Sequence, residues 1–257
     1  MTLWHHASKR WLKAGLAGRE RLLEMLFPPS CAACHAPIAQ GGPAQFCDDC
    51  LELFDEFRPP FCAGCGASVP VDLPEGHTCG HCHGERRRYN HAVALGPYEG
   101  LLRDLLLRAK RPQGEIVALA LAERLVELHG NELREREIDV VCPVPMHWRR
   151  RIRRMANCPT TIADVVARRL QVPLAAGLLR RRRATRPQTS LAPSGRDQNV
   201  RRAFALGAGY QLQSAHVLLV DDILTTGATC NAAARTLRRA GAKSVTLAVI
   251  GRSYSGR

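Results

Sequence analysis

Two adjacent carboxylates, Asp221 and Asp222, follow the unbroken apolar run Val217-Leu218-Leu219-Val220 and precede Thr225-Thr226-Gly227-Ala228-Thr229. The apolar run has the length of a strand buried on both faces of a parallel sheet. Desolvating paired acids is costly unless cations or hydrogen-bond donors meet them, so the pattern places both just past the strand, at the carboxyl edge where open α/β sheets bind ligands. Residues 230–240 then read as a helix ended by Gly241. Small hydroxyl residues and a glycine ahead of a helix let backbone N–H groups converge on an anion, and the helix dipole adds to that. The expectation is a phosphate cradle with two acids beside it. An ordinary N-capped turn also uses Thr and Asp, but leaves the acid pair and the T-T-G-x-T run together unexplained.

Eight of the eleven cysteines form a second set of chemistry-bearing residues. Cys31-x-x-Cys34 is followed by Cys47-x-x-Cys50, and Cys62-x-x-Cys65 by Cys79-x-x-Cys82. The pattern is an internal repeat of one knuckle-to-knuckle unit. Each CxxC turn brings two thiolates to one point, and two turns complete a tetrahedral four-sulfur zinc site. Such a site has no open position for water, which makes both metals structural. Disulfides are disfavoured in a reducing compartment, and iron–sulfur spacings differ. Sequential pairing, 31/34/47/50 with 62/65/79/82, gives a double ribbon, and crossed pairing gives a cross-brace; near-equal repeat lengths favour the first. His35, His77, His81 and His83 are expected near the metals but not on them.

The elements that must position these groups are read from periodicity. The spacing of Trp4, Trp11, Leu12, Leu16, Leu23, Leu26 and Phe27 predicts an amphipathic, basic helix over 1–27, covering apolar surface of the protein itself or touching a membrane or partner. The zinc module is expected over 28–85 and an α/β domain over 89–257. In that domain the pattern predicts a strand from His91, an amphipathic helix leading to Lys110, and a helix from Glu115 to about His129. A charged turn is expected over 132–137, with strands at 138–141 and 244–250 and a helix over 161–170. Pro143-Val144-Pro145 leads into an arginine run containing Arg149, Arg150 and Arg154, whose forked guanidiniums suit phosphate oxygens. Residues 184–204 are polar and too long for a tight turn, and read as a lid offering Gln188, Arg196 and Asn199.

The formal net charge of +14 points to polyanionic partners, either nucleic acid or highly phosphorylated substrates. No apolar run approaches the roughly 20 residues that span a bilayer, and the N-terminal stretch lacks the apolar core of a secretory signal. A cytoplasmic location is the expectation.

The run at 217–229 resembles the phosphoribosyl pyrophosphate signature of type I phosphoribosyltransferases. The whole order of pieces resembles the competence protein F family: paired CxxC units, Tyr98 and Lys110, PVP, the T-x-P-Q-T segment at 185–189, Arg196, Asn199, Phe204, VDDILTTGAT and a final Gly251-Arg252-Ser253. The resemblance implies a type I phosphoribosyltransferase fold, with a central mostly parallel sheet flanked by helices, preceded by a double zinc ribbon. It implies that Thr225, Thr226, Gly227, Ala228 and Thr229 hold the 5′-phosphate of phosphoribosyl pyrophosphate and that Asp221 and Asp222 serve catalysis at the ribose. Mg²⁺ would ride on pyrophosphate, near Lys110 and the arginines. It also implies a link to DNA uptake, with single-stranded DNA or uptake proteins as partners; a nucleic-acid-binding adaptor with a non-catalytic fold is the rival reading. One segment departs: the family usually reads Arg-Gly-Phe-Asn-Gln where this chain has Arg154-Met155-Ala156-Asn157-Cys158. The resemblance therefore carries phosphate binding over to this chain, but not turnover.

Overall fold

The computed structural model describes residues 28–38, 45–54, 60–69, 79–84, 87–146, 158–182 and 203–253. The helix expected over 1–27 lies outside them, as do Arg149, Arg150, Arg154, Gln188, Arg196 and Asn199. Two compact units divide the chain, Met1–Leu51 and Glu52–Arg257.

In the first unit, the turn at Cys31 is closed by Cys31 N–H donating to Ala36 O at 2.8 Å, inside an antiparallel bridge between Ser30 and Pro37. Helix α1, Asp48–Glu52, begins at the second CxxC, with Asp48 and Asp49 in its first turn where the dipole favours anions. The second unit repeats the device. Cys62 N–H donates to Ala67 O at 2.8 Å, and Phe61 bridges Ser68. The sequence repeat is thus a structural repeat.

The rest of the second unit is an α/β layer structure. Its strands are β1 (His91–Pro97), β2 (Val140–Pro143), β5 (His216–Leu224) and β6 (Ser244–Arg252), parallel throughout in the order β1-β6-β5-β2. Between β2 and β5 come β3 (Leu179–Arg181) and β4 (Phe204–Leu206), an antiparallel pair standing apart from the main sheet. The helices are α2 (Gly100–Ala109), α3 (Glu115–Glu135), α4 (Cys158–Leu170) and α5 (Ala228–Arg239).

Alternation along the strands assigns the faces. Val217 and Leu219 of β5 share a core with Val245, Leu247 and Val249 of β6, with Leu179 and Phe204 of the small sheet, and with Ala233 and Leu237 of α5. Their neighbours Leu218, Val220, Ala248 and Ile250 point to the opposite face and are equally buried. Helix α2 packs on β6, α3 on β1, and α4 on β2 and β5. Burial on both faces is why the parallel strands read as continuous apolar runs.

Two boundary expectations are corrected. Helix α3 does not end near His129 but runs to Glu135, because residues expected in a charged turn are tied down. His129 donates from Nε2 to Ala94 O at 2.9 Å, and Glu132 reaches both His129 Nδ1 at 3.1 Å and His91 Nε2. Leu133, one turn beyond His129, is fully buried. Strand β5 likewise does not stop at Val220. It pairs on through Asp221 with Val249 and Leu224 with Arg252, so both acids lie within the sheet.

Candidate ribose-phosphate site and metal centres

Period-two geometry sends the paired acids to opposite faces of the sheet. Asp221, 9% exposed, turns to the α5 side, where the Cys230 thiol of that helix lies 3.7 Å from its Oδ2 and the Asp222 amide donates to its Oδ1 at 2.9 Å. Burial first, then the charge of Asp222, pushes the Asp221 carboxyl up to about 8. Asp222 turns to the α2–α4 side. Lys110, directly after α2, meets its Oδ2 at 2.9 Å. Burial works against the Lys110 charge, but Asp222 outweighs it and holds that ammonium above its usual range. Cys158, the first residue of α4 and the last of the departing segment, is buried; its thiol is pushed up by burial and by the Asp222 charge.

Beyond Leu224 the chain turns into α5 through Thr225, Thr226 and Gly227. Gly227 is the N-cap at φ 73°, ψ −2°, a left-handed conformation that an L side chain adopts only at a cost. A Cβ there would meet its nearest neighbours at 3.7 Å, so the backbone angle, not crowding, calls for glycine. The Thr226 hydroxyl is buried and has no hydrogen-bond partner. An orphaned buried hydroxyl costs about 1–3 kcal/mol unless something completes it. It sits beside the free amides of a helix N-terminus, and an anion would complete both.

Arg252, at the end of β6 and only 4% exposed, braces this turn from below. Its Nη1 donates to Leu224 O at 3.1 Å, to Ser253 O at 2.8 Å and to Thr225 O. Sequence reading had it only as part of a terminal Gly-Arg-Ser. The available signal was a lone arginine closing an otherwise apolar strand. Tyr89 was not singled out at all: it is buried, and its hydroxyl lies 3.9 Å from where a Gly227 Cβ would stand.

The structure brings Asp221, Asp222, Lys110 and the segment 225–229 to one end of the sheet. The cysteines form two further centres. Cys31, Cys34, Cys47 and Cys50 converge, as do Cys62, Cys65, Cys79 and Cys82, with all sulfurs of a set within 4.8 Å of one another. Pairing is therefore sequential. A tetrahedron with metal–sulfur bonds of about 2.3 Å has sulfur–sulfur edges of about 3.8 Å. The observed separations include 3.6 Å for Cys34–Cys47 and Cys65–Cys79, 3.7 Å for Cys62–Cys82 and 3.9 Å for Cys79–Cys82. The all-thiolate donor sets fit zinc at both centres. His35, His81 and His83 join neither set, and His77 lies outside the described residues.

Burial opposes the charge of Cys31 and Cys62, yet backbone N–H donors bring these thiols down to about 6 and about 7. Burial and the neighbouring sulfurs push Cys50 and Cys65 up. Four sulfurs this close ionise together only around a cation. Arg87 donates to Cys82 Sγ at 3.2 Å and offsets part of the second centre's charge.

Comparison with known proteins matches residues 22–83 to a double zinc ribbon domain and residues 160–256 to a phosphoribosyl transferase domain. Competence protein F of Haemophilus influenzae is 27% identical over 81% of this chain and 89% of its own length. The DNA utilization protein YhgH of Escherichia coli K12 is 29% identical over 85% of this chain and 94% of its own. The chain is similar to competence protein F and to YhgH over most of its length. It has a parallel sheet with helices on both faces, and two cysteine tetrads precede that sheet in the sequence. A purine phosphoribosyltransferase from Pyrococcus horikoshii Ot3 overlaps 51% of this chain and 82% of its own, at 16% identity and a TM-score of 0.34, too loosely to carry an argument. Among the described residues, no helix is long and apolar enough to cross a membrane.

Proposed function

We propose that this chain binds phosphoribosyl pyrophosphate with Mg²⁺, and does so in the service of DNA uptake or utilisation. The observation that carries the first half is the Thr226 hydroxyl, buried and unpartnered in a left-handed turn at the start of α5. The 5′-phosphate would take the amides and hydroxyls of Thr225, Thr226, Gly227, Ala228 and Thr229. Asp221 and Asp222 would hydrogen-bond the ribose hydroxyls, and the negative charge carried by the pair would stabilise positive charge developing at C1 as its bond to pyrophosphate breaks. When bound, Mg²⁺ supplies charge neutralisation on the pyrophosphate oxygens. Lys110 sits within reach of the same end of the sheet, and Arg149, Arg150 and Arg154 would close on the pyrophosphate.

The second half rests on the names of the relatives, a competence protein and DNA utilization proteins. Thiol-rich metal centres suit a reducing cytoplasm. The test is calorimetric titration of the full chain with phosphoribosyl pyrophosphate and Mg²⁺, followed by a screen of acceptor bases for pyrophosphate release. Thr226→Ala, and Asp221→Asn combined with Asp222→Asn, are expected to weaken binding at least tenfold. Unchanged binding in these variants defeats the site assignment. Binding without release for any base leaves a ribose-phosphate receptor on a transferase fold.

A further inference from the structure

Away from the cradle, a polar cleft of about 500 Å³ opens along α5, lined by Arg87, Arg88, Tyr89, Asn90, Arg235, Arg238, Arg239 and Ala242. A second cleft of about 400 Å³, reaching Arg182 just past β3 and Phe204 of β4, shares Arg235 and Arg239 with it. The two form one channel flanking the helix. Among the described residues, six arginines line it and no acid does. The ion pairs among the described residues engage other cations, such as Lys110 with Asp222 and Arg169 with Glu123.

Several of these arginines have structural work. Arg87 is turned to Cys82, and Arg238 caps the helix by donating to Ala242 O at 3.1 Å and to Lys243 O. Cations in the last turn also suit the dipole, which accounts for Arg238 and Arg239. Arg235 has neither excuse. It is half-buried, a turn short of the helix end, and stands at i,i+4 to Arg239 and i,i+3 to Arg238. Like charges at those spacings destabilise a helix unless an anion lies between them. Arg182 approaches the same residues from the far side.

We infer that this channel binds a chain of consecutive phosphates, of the kind a single-stranded nucleic acid or an inorganic polyphosphate presents. Guanidinium forks spaced along a helix match successive phosphate oxygens. The aromatic residues on the walls, Tyr89 and Phe204, are buried, and Phe204 is already covered by Arg181, so no ring is offered for base stacking. Recognition is therefore of the backbone and indifferent to base. Arg235 and Arg239 lie seven and eleven residues beyond Ala228, about 10 and 16 Å along the helix. These two arginines thus stand away from the ribose-phosphate cradle, which the channel approaches at Tyr89, and the inference does not depend on that reading.

The experiment is fluorescence anisotropy of the full chain with a short labelled oligothymidylate across a salt series, with inorganic polyphosphate as competitor. Wild-type protein is expected to bind at low salt, with affinity falling steeply as salt rises. Arg235→Gln with Arg239→Gln is expected to weaken binding by roughly tenfold or more and to flatten the log–log salt slope by about 1.4, since two single-strand phosphate contacts are lost. Arg182→Gln with Arg239→Gln, which removes one charge just past β3 and one from α5, serves as a second variant, and thermal melting verifies that both fold. Polyphosphate is expected to displace the oligonucleotide. Whichever of the two binds more tightly identifies the source of the phosphates. An oligonucleotide that polyphosphate fails to displace, or that binds both variants as it binds wild type, overturns the inference. So does a loss of equal size in Thr226→Ala, which would place the binding in the cradle.

Discussion

Asp221 is held in the fold as a neutral acid. Its carboxyl is pushed from 3.8 to about 8, first by burial and then by Asp222. Between about pH 4 and 8 the folded chain therefore carries a proton that the unfolded chain has lost, so stability falls as pH rises through that window, by at most about 1.4 kcal/mol per unit. Asp221→Asn removes that slope. Its melting temperature relative to wild type is expected to climb from pH 5 to pH 8, measured by thermal denaturation at both; equal offsets at the two values would mean that Asp221 is already ionised in the fold. The position of the acid pair toward the carboxyl end of β5 was legible in sequence because two carboxylates after four apolar residues admit few other arrangements, though not that the strand runs on through both. What met them was not legible. The Cys230 thiol, the Lys110 ammonium and the Arg252 guanidinium reach the site from three different elements, and only tertiary packing brings them together.

At the scale of elements, the turn from β5 into α5 depends on one backbone angle. Gly227→Ala finds room for its methyl group but must hold φ near 73°, at a cost of about 1–2 kcal/mol. Some of that strain is expected to be relieved by rotating the amides of Ala228 and Thr229 away from the anion. The variant should thus melt only a few degrees lower while losing phosphoribosyl pyrophosphate affinity by tenfold or more in calorimetry. Unaltered affinity would mean that the cradle does not use this conformation. The apolar runs made the strands readable, since burial on both faces leaves a continuous signal. Boundaries were misjudged where polar residues continue an element. Glu132 looked like part of a turn because its partners, His91 and His129, give no periodic signal, and β5 looked finished at Val220 because acids seldom enter a parallel sheet.

At the scale of the whole chain, the two metal centres are equivalent in sequence but not in what they support. The first belongs to the unit Met1–Leu51, the second to the unit Glu52–Arg257. Within that larger unit the second knuckle is fastened to β1. Ala92 N–H donates to Ala63 O at 3.0 Å, and Gly66, at φ 67°, lets its backbone lie against Ala94. Phe61 packs on His129 with ring centroids 5.2 Å apart, and Arg87 connects Cys82 to the segment carrying Tyr89 beneath Gly227. A domain this size shifts its melting temperature by about 2–4 °C per kcal/mol, so losing even about 3 kcal/mol of metal-dependent stability lowers it by roughly 10 °C. Cys62→Ser with Cys65→Ser is expected to do this to the main transition and to weaken phosphoribosyl pyrophosphate binding with it. Cys31→Ser with Cys34→Ser is expected to leave both nearly unchanged while halving bound zinc by elemental analysis. Equal losses from the two pairs would show instead that the ribbons stand or fall together, and that the division of the chain at Leu51 has no thermodynamic counterpart.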